Sequence, residues 1–394
     1  MSDDLKLSIV IPYKQRLDNI RAVFTSLVDQ TMDRARFEVV VGVMEYAPEY
    51  VALCREFTDR LSIVSVLTTG EWNTSRARNL GIRHASGQIV MVLDADVVLA
   101  PVALENLYER HFRHGQNVCV LGQVFGYDEV VGSDVETVQV QPYDHYRKLL
   151  ADLETADRAR LDPRWSAEYA PALARFPWAF ARTGLMALPT ATVRAHGLLL
   201  DEDFPGWGPE DQEWGLRISR TGTPLVLGQD VYGLHLPHRR DFAAQDRSAT
   251  LSNRYYLAKW PRLDLELALA FGGWLEADRL CPDAERELAR ASGGRSLGVV
   301  RATVGERSVL FVGAVLDASG EAADPEVRAL LGGGARAEVL PLAGFALPFA
   351  DRSVDECRVL APVARLSERY RDAVHREAER VACRLLVPAG AADR

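Results

Sequence analysis

Three groups of side chains in this 394-residue chain have the types and spacing that chemistry needs. The first is Asp94-Ala95-Asp96, two carboxylates one residue apart, directly after the apolar run Ile89-Val90-Met91-Val92-Leu93. At the exposed end of a buried strand such a pair offers hard oxygen ligands, which suit Mg²⁺ or Mn²⁺. A cation held there offsets charge on a departing diphosphate. Taken alone, D-x-D reads first as a turn or a helix start, and its place after the apolar run turns the reading toward function. The second group is Gly206-Trp207-Gly208-Pro209-Glu210-Asp211, followed by Glu213 and Trp214. Glycines on both sides of Trp207 let backbone approach a ligand, and the indole is a flat stacking surface. Proline suits a first helical turn, which places Glu210 and Asp211 at the positive end of a helix, where carboxylates stay ionised. An ionised carboxylate facing a hydroxyl can act as general base. The plainer alternative, an acidic helix start over a core tryptophan, fits Glu213 and Trp214 better than the whole run. The third group is His235 and His238, flanking Pro237. Either imidazole could join a carboxylate on a metal, although spacing alone favours two core or surface histidines.

The elements that must position these groups read as α/β. Short β-branched runs at residues 7–12, 37–43, 61–67 and 89–93 alternate with helical spacing at Ile20, Val23, Phe24, Leu27 and Val28, and again through residues 74–85, with Asn73 or Thr74 as cap. That alternation predicts a mostly parallel sheet flanked by helices. Ligands in such sheets sit beyond the carboxyl ends of strands. Residues 101–260 are less regular and collect Trp165, Trp178, Trp207, Trp214 and Trp260, as a substrate-facing region would. The expected organisation is a catalytic domain over 1–280, a linker over 281–307 and a small Rossmann-like α/β module over 308–394.

Composition narrows the class. Apolar residues are 48% and charged residues 26% of the chain, so it is neither disordered nor fibrous. A net charge of −9 argues against broad capture of nucleic acid. No apolar run reaches the length of a membrane span, which leaves only peripheral membrane contact open. The five cysteines, Cys54, Cys119, Cys281, Cys357 and Cys383, are odd in number and dispersed. They read as reduced thiols of a cytoplasmic protein.

Taken in order, the motifs resemble the family 2 type of glycosyltransferase with the GT-A fold. The segments are S-I-V-I-P-Y-K at 8–14, S-R-A-R-N-L-G at 75–81, L-D-A-D at 93–96, G-W-G-P-E-D at 206–211 and the histidine at 235. The branch it looks closest to holds bacterial chondroitin-type polymerases and, more distantly, β-galactosyltransferases. The resemblance implies an inverting sugar transfer from a nucleotide-diphosphate donor, a UDP-sugar first, to an acceptor hydroxyl, with Mn²⁺ or Mg²⁺. It implies Asp96 and His235 as metal ligands, with His238 in reserve. It implies Asp94 on the ribose or donor sugar, Asp211 as catalytic base, Glu210 on a substrate hydroxyl, and Trp207 with Gly208 against the acceptor. It further implies that Pro12, Tyr13, Arg78 and Asn79 border the donor. The family's acidic base-recognition run is replaced here by Val43-Met44-Glu45, so Glu45 is the substitute on offer. A nucleotidyltransferase of similar sheet, or a scaffold that has lost catalysis, are the alternatives. A second resemblance covers L-P-F-A-D-R-S-V-D at 347–355 and E-R-V-A-C-R-L-L-V-P-A-G at 379–390, which are similar to the latter part of class I methyltransferases. Because residues 313–320 lack the glycine-rich cofactor loop, this implies a truncated module used for packing, homodimer contact or partner recognition. Residues 127–137 and 202–205 are expected to order when donor binds.

Overall fold

The computed structural model describes residues 5–126, 130–132, 138–157, 161–331 and 337–387. Most of 127–137, the glycine triplet at 332–334 and the end of the 379–390 motif lie outside these. The chain forms two compact units, Met1–Ser252 and Asn253–Arg394.

In the first unit the strands run β1 (Leu7–Tyr13), β2 (Phe37–Val43), β3 (Ile63–Leu67), β4 (Ile89–Leu93), β5 (Val97–Leu99), β6 (Cys119–Phe125), β7 (Val130–Gly132), β8 (Leu185–Pro189), β9 (Leu225–His235) and β10 (His238–Arg240). Eight form one sheet in the order β3-β2-β1-β4-β8-β6-β9-β5. The β3-β2-β1-β4 half is parallel, and β8 and β5 run against their neighbours. This is the α/β architecture the sequence predicts. β1, β2 and β4 are buried along their whole length, as unbroken apolar runs must be when helices cover both faces of a parallel sheet. β3, at the edge, is half exposed.

The helix Thr74–His84 matters most to the site. Asn73 caps it, its side chain accepting the Arg76 N–H at 2.8 Å. Its close seat on the sheet depends on glycine. A Cβ at Gly42 would lie 1.9 Å from the Ala77 carbonyl oxygen, and one at Gly81 would lie 2.4 Å from Val10 Cγ1.

The second unit begins earlier than expected. Residues 281–307 are no linker: they lie largely within the helix Trp274–Ser292 and the strand β11 (Ser296–Val304), which pairs antiparallel with β12 (Arg307–Leu316). The charged, Ser- and Gly-containing stretch is an amphipathic helix and its glycine stop, Gly293 at φ +67°. With β13 (Ala337–Leu340), β14 (Val354–Val359) and β15 (Ala382–Leu386) the sheet order is β13-β11-β12-β14-β15. Only β12-β14-β15 is parallel. The unit is therefore a mixed sheet in which β11 precedes β12, the strand expected to begin the module.

Glu266 ties this unit together. It is fully buried, and its carboxyl accepts the backbone N–H groups of Ala343, Gly344 and Phe345 at 2.7, 2.8 and 3.0 Å. Burial pushes its pKa up to about 8 against those donors. The folded form thus binds this proton more tightly than the unfolded chain does. The stabilisation is complete at low pH and is lost as pH rises toward about 8. Glu266→Ala strands three buried donors and should cost about 3 kcal/mol or more in a denaturant titration. Glu266→Gln should cost less and should flatten the pH dependence.

Candidate active site

The site grows out of strand ends. β4 stops at Leu93, and a turn closed by the Val97 N–H donating to the Asp94 carbonyl at 3.2 Å leads into β5. β5 pairs antiparallel with the end of β9, setting Val97 opposite His235. The Leu236 N–H donates to the Asp96 carbonyl at 2.7 Å. That register brings Asp96 and His235 together although 139 residues separate them, and the chain then turns back through Pro237 so that His238 joins them. Asp96 Oδ1 lies 3.8 Å from His235 Nε2, and Asp96 Oδ2 lies 3.3 Å from His238 Nδ1. All three side chains are buried, and each offers a ligand atom within 4.8 Å of the others.

The donor set fits a divalent cation. Burial holds both imidazoles below their usual range, His238 at about 3, so each keeps a lone pair. His238 Nε2 is buried and unpartnered among the described residues. Burial raises Asp96 more than Arg16 and His235 lower it. Both His235 and His238, between which the sequence left the choice open, lie beside Asp96.

Arg78 organises the other half. Its guanidinium, 4% exposed, donates through Nη2 to Asp94 at 2.8 Å and through Nη1 to Glu210 at 3.1 Å. Burial works to raise Asp94, but the Arg78 charge prevails and holds it below the usual carboxylate range. Glu210 is raised by burial and by its neighbour Asp211. Asp211 is raised by burial against the pull of Arg182 and Arg78. The helix carrying both begins at Glu210, one residue later than the proline suggested, so Pro209 precedes the first turn. Glu213 and Trp214 belong to the core: Glu213 pairs with Arg217 at 2.9 Å, and Trp214 donates to the Leu198 carbonyl at 3.1 Å.

Trp207 is 53% exposed. Its backbone N–H donates to Ser248 Oγ at 2.6 Å, and the Arg240 guanidinium lies 5.8 Å from the ring centre. A Cβ on Gly206 would sit 2.0 Å from that hydroxyl, and Gly208 has φ +55°, so this loop needs both glycines.

The other residues expected at the donor pocket have these neighbours. Tyr13 is 2% exposed and stacks on Tyr50 at 4.4 Å, and Pro12 is buried in β1 opposite Gly42. Asn79 is 1% exposed and clamps segment 200–202. It donates to the Leu200 carbonyl and to Glu202 and accepts the Leu200 N–H, at 2.8, 2.9 and 2.8 Å. It therefore holds the chain leading to Trp207. Glu202 also receives Arg76 at 3.0 Å, so part of the segment expected to order late is already tied down. Glu45 accepts a bond from Gln15 at 3.1 Å on an exposed face. Sequence reading missed Arg16, which pairs with Asp96, and Arg240. Arg16 follows β1, and β1 neighbours β4, so sheet order was the signal.

Residues 8–159 match the family Glycosyl transferase family 2. A validoxylamine A glucosyltransferase of Streptomyces hygroscopicus subsp. jinggangensis is 30% identical over 286 residues, covering 70% of this chain and 67% of that protein. Its counterpart from subsp. limoneus is 30% identical and is covered over 62% of its length. The chain thus spans about two thirds of the length of these relatives. Among solved structures, a Pyrobaculum calidifontis mannosyltransferase in complex with GDP-mannose and Mn²⁺ is 16% identical, with TM-score 0.45 over 72% of this chain and 76% of that one. Among the described residues no helix is long and apolar enough to cross a membrane. The chain is a glycosyltransferase and belongs to glycosyl transferase family 2.

Proposed function

We propose that the chain transfers a hexosyl unit from a nucleotide-diphosphate donor to an acceptor hydroxyl in one inverting displacement. The observation that carries this reading is the meeting of Asp96, His235 and His238 beside the linked carboxylates Asp94 and Glu210. Those three residues would hold Mn²⁺ or Mg²⁺, which supplies positive charge to the leaving diphosphate. Asp211, with its raised proton affinity, accepts the acceptor's proton as the hydroxyl attacks. Trp207 supplies the acceptor platform. Asp94, fixed by Arg78, orients a hydroxyl of the donor.

The relatives' activity makes a glucosyl donor and a polyhydroxylated aminocyclitol acceptor of the validoxylamine type the first pair to test. The experiment is a panel of UDP- and GDP-hexoses with that acceptor, with Mn²⁺ and with chelator. Expected is transfer from a glucosyl donor that chelation abolishes and Mn²⁺ restores. Undiminished transfer in chelator would overturn the metal role, and nucleotide release without sugar transfer to any acceptor would overturn the reaction. The second unit, whose 343–345 backbone is closed off by Glu266, is taken as a module without methyl transfer.

A further inference from the structure

The Arg16 guanidinium pairs through Nη1 with Asp96 Oδ2, the same oxygen that faces His238 Nδ1 at 3.3 Å. Asp96 and both histidines are buried, whereas the Arg16 side chain is 39% exposed. The pair therefore has one partner fixed in the protein and one at the solvent boundary. Arg16 stands between β1 and the helix Leu17–Val28, where it lacks a side-chain cap role. Asn19, in that helix's first turn, donates to the Pro237 carbonyl at 3.2 Å, so the backbone next to Arg16 is anchored to the loop joining the two histidines. The arginine can change partner without the helix moving.

We propose that Arg16 is a diphosphate-binding residue that Asp96 stores until a divalent cation takes its place. The inference rests on the metal reading above. Asp96 Oδ2 faces both Arg16 and His238, so a divalent cation at this cluster competes with the guanidinium for the charge of one carboxylate. A cation on Asp96, His235 and His238 removes the countercharge that held Arg16. Asp96 also senses Arg240. With a divalent ion present, its charge and those of Arg16 and Arg240 exceed those of the carboxylates Asp96 and Asp94 by two. The group that matches this excess is a polyanion, and the donor carries one in its diphosphate. A guanidinium meets phosphate oxygens in a bidentate fork. Cation binding and diphosphate binding are then coupled through one side chain, and the coupling is reciprocal.

The test uses the full chain and measures Mn²⁺ binding alone by titration calorimetry or electron spin resonance, then inorganic pyrophosphate binding at saturating Mn²⁺. Arg16→Met should bind Mn²⁺ about tenfold more tightly than the unaltered chain, and pyrophosphate about tenfold more weakly. Arg16→Lys should fall between, and it decides the matter if Arg16→Met fails to fold by circular dichroism. Unchanged or weaker Mn²⁺ binding in a folded Arg16 variant overturns the proposal, as does unchanged pyrophosphate binding. His235→Ala is the control for the underlying reading. If it binds Mn²⁺ as the unaltered chain does, or if no form binds, the metal site itself fails and the proposal falls with it.

Discussion

Asp211→Asn is expected to lower sugar transfer by about 10² to 10⁴, the usual worth of a positioned general base, while leaving donor affinity nearly unchanged. The asparagine keeps the size of the side chain and can still accept the Gln212 N–H, which Asp211 Oδ1 now receives at 2.8 Å. It cannot take a proton at neutral pH. A loss confined to turnover, measured with saturating donor, therefore separates chemistry from binding. The pH profile gives a second readout. Burial raises the Asp211 pKa and Arg182 only partly offsets it. The ionised form is the active one. Activity should thus fall on the acid side at a pH above the ordinary carboxylate range, and adding acid should not affect donor binding in step. Near-normal turnover in Asp211→Asn would remove this residue from the mechanism.

The parts of this site that were legible in the sequence are those that local pattern determines. Leu93-Asp94-Ala95-Asp96 could be read because the apolar run of β4 ends at Leu93 and the carboxylates follow it directly, although Asp96 is itself buried. Glu210 and Asp211 could be read because proline and glycine announce a helix start within one residue. The roles of Tyr13 and Asn79 could not. Tyr13 ends a strand whose burial continues to its last residue, so its ring goes to Tyr50. Asn79 sits at helical spacing consistent with either a ligand or a clamp. Only the approach of segment 200–202, 121 residues away at Leu200, shows the clamp. His238 needed the β5–β9 register, and Arg16 needed the adjacency of β1 and β4. Both are long-range pairings that no window of sequence contains. The boundary between units was hidden for a related reason. Gly293-Gly294 resembles a linker, yet it ends a 19-residue helix whose apolar face is invisible until the sheet it covers is in place.

Arg78→Met should be the most damaging single change in the first unit, and it shows why the two carboxylate motifs act together. The guanidinium bridges Asp94, which leaves β4, and Glu210, which opens the helix after Trp207. Removing it leaves two acids facing each other without their cation. The Glu210 side chain is 10% exposed, so its charge must be neutralised or desolvated at full cost, whereas Asp94 at 31% is partly relieved by water. Losing one partner of a buried pair typically costs 3–5 kcal/mol, and the wet side of this pair argues for the lower end, about 3 kcal/mol. Arg78→Lys is not conservative here, since one ammonium cannot place separate donors on both carboxylates. It should restore part of the unfolding midpoint but little of the turnover. A merely structural role would move both together. The discriminating readout is again pH. Arg78 lowers the proton affinity of Asp94, Glu210 and Asp211, so its loss should shift the acid limb of the transfer profile upward in both variants, and further in Arg78→Met. A folded Arg78→Met with an unmoved limb would mean that the two motifs are electrostatically independent.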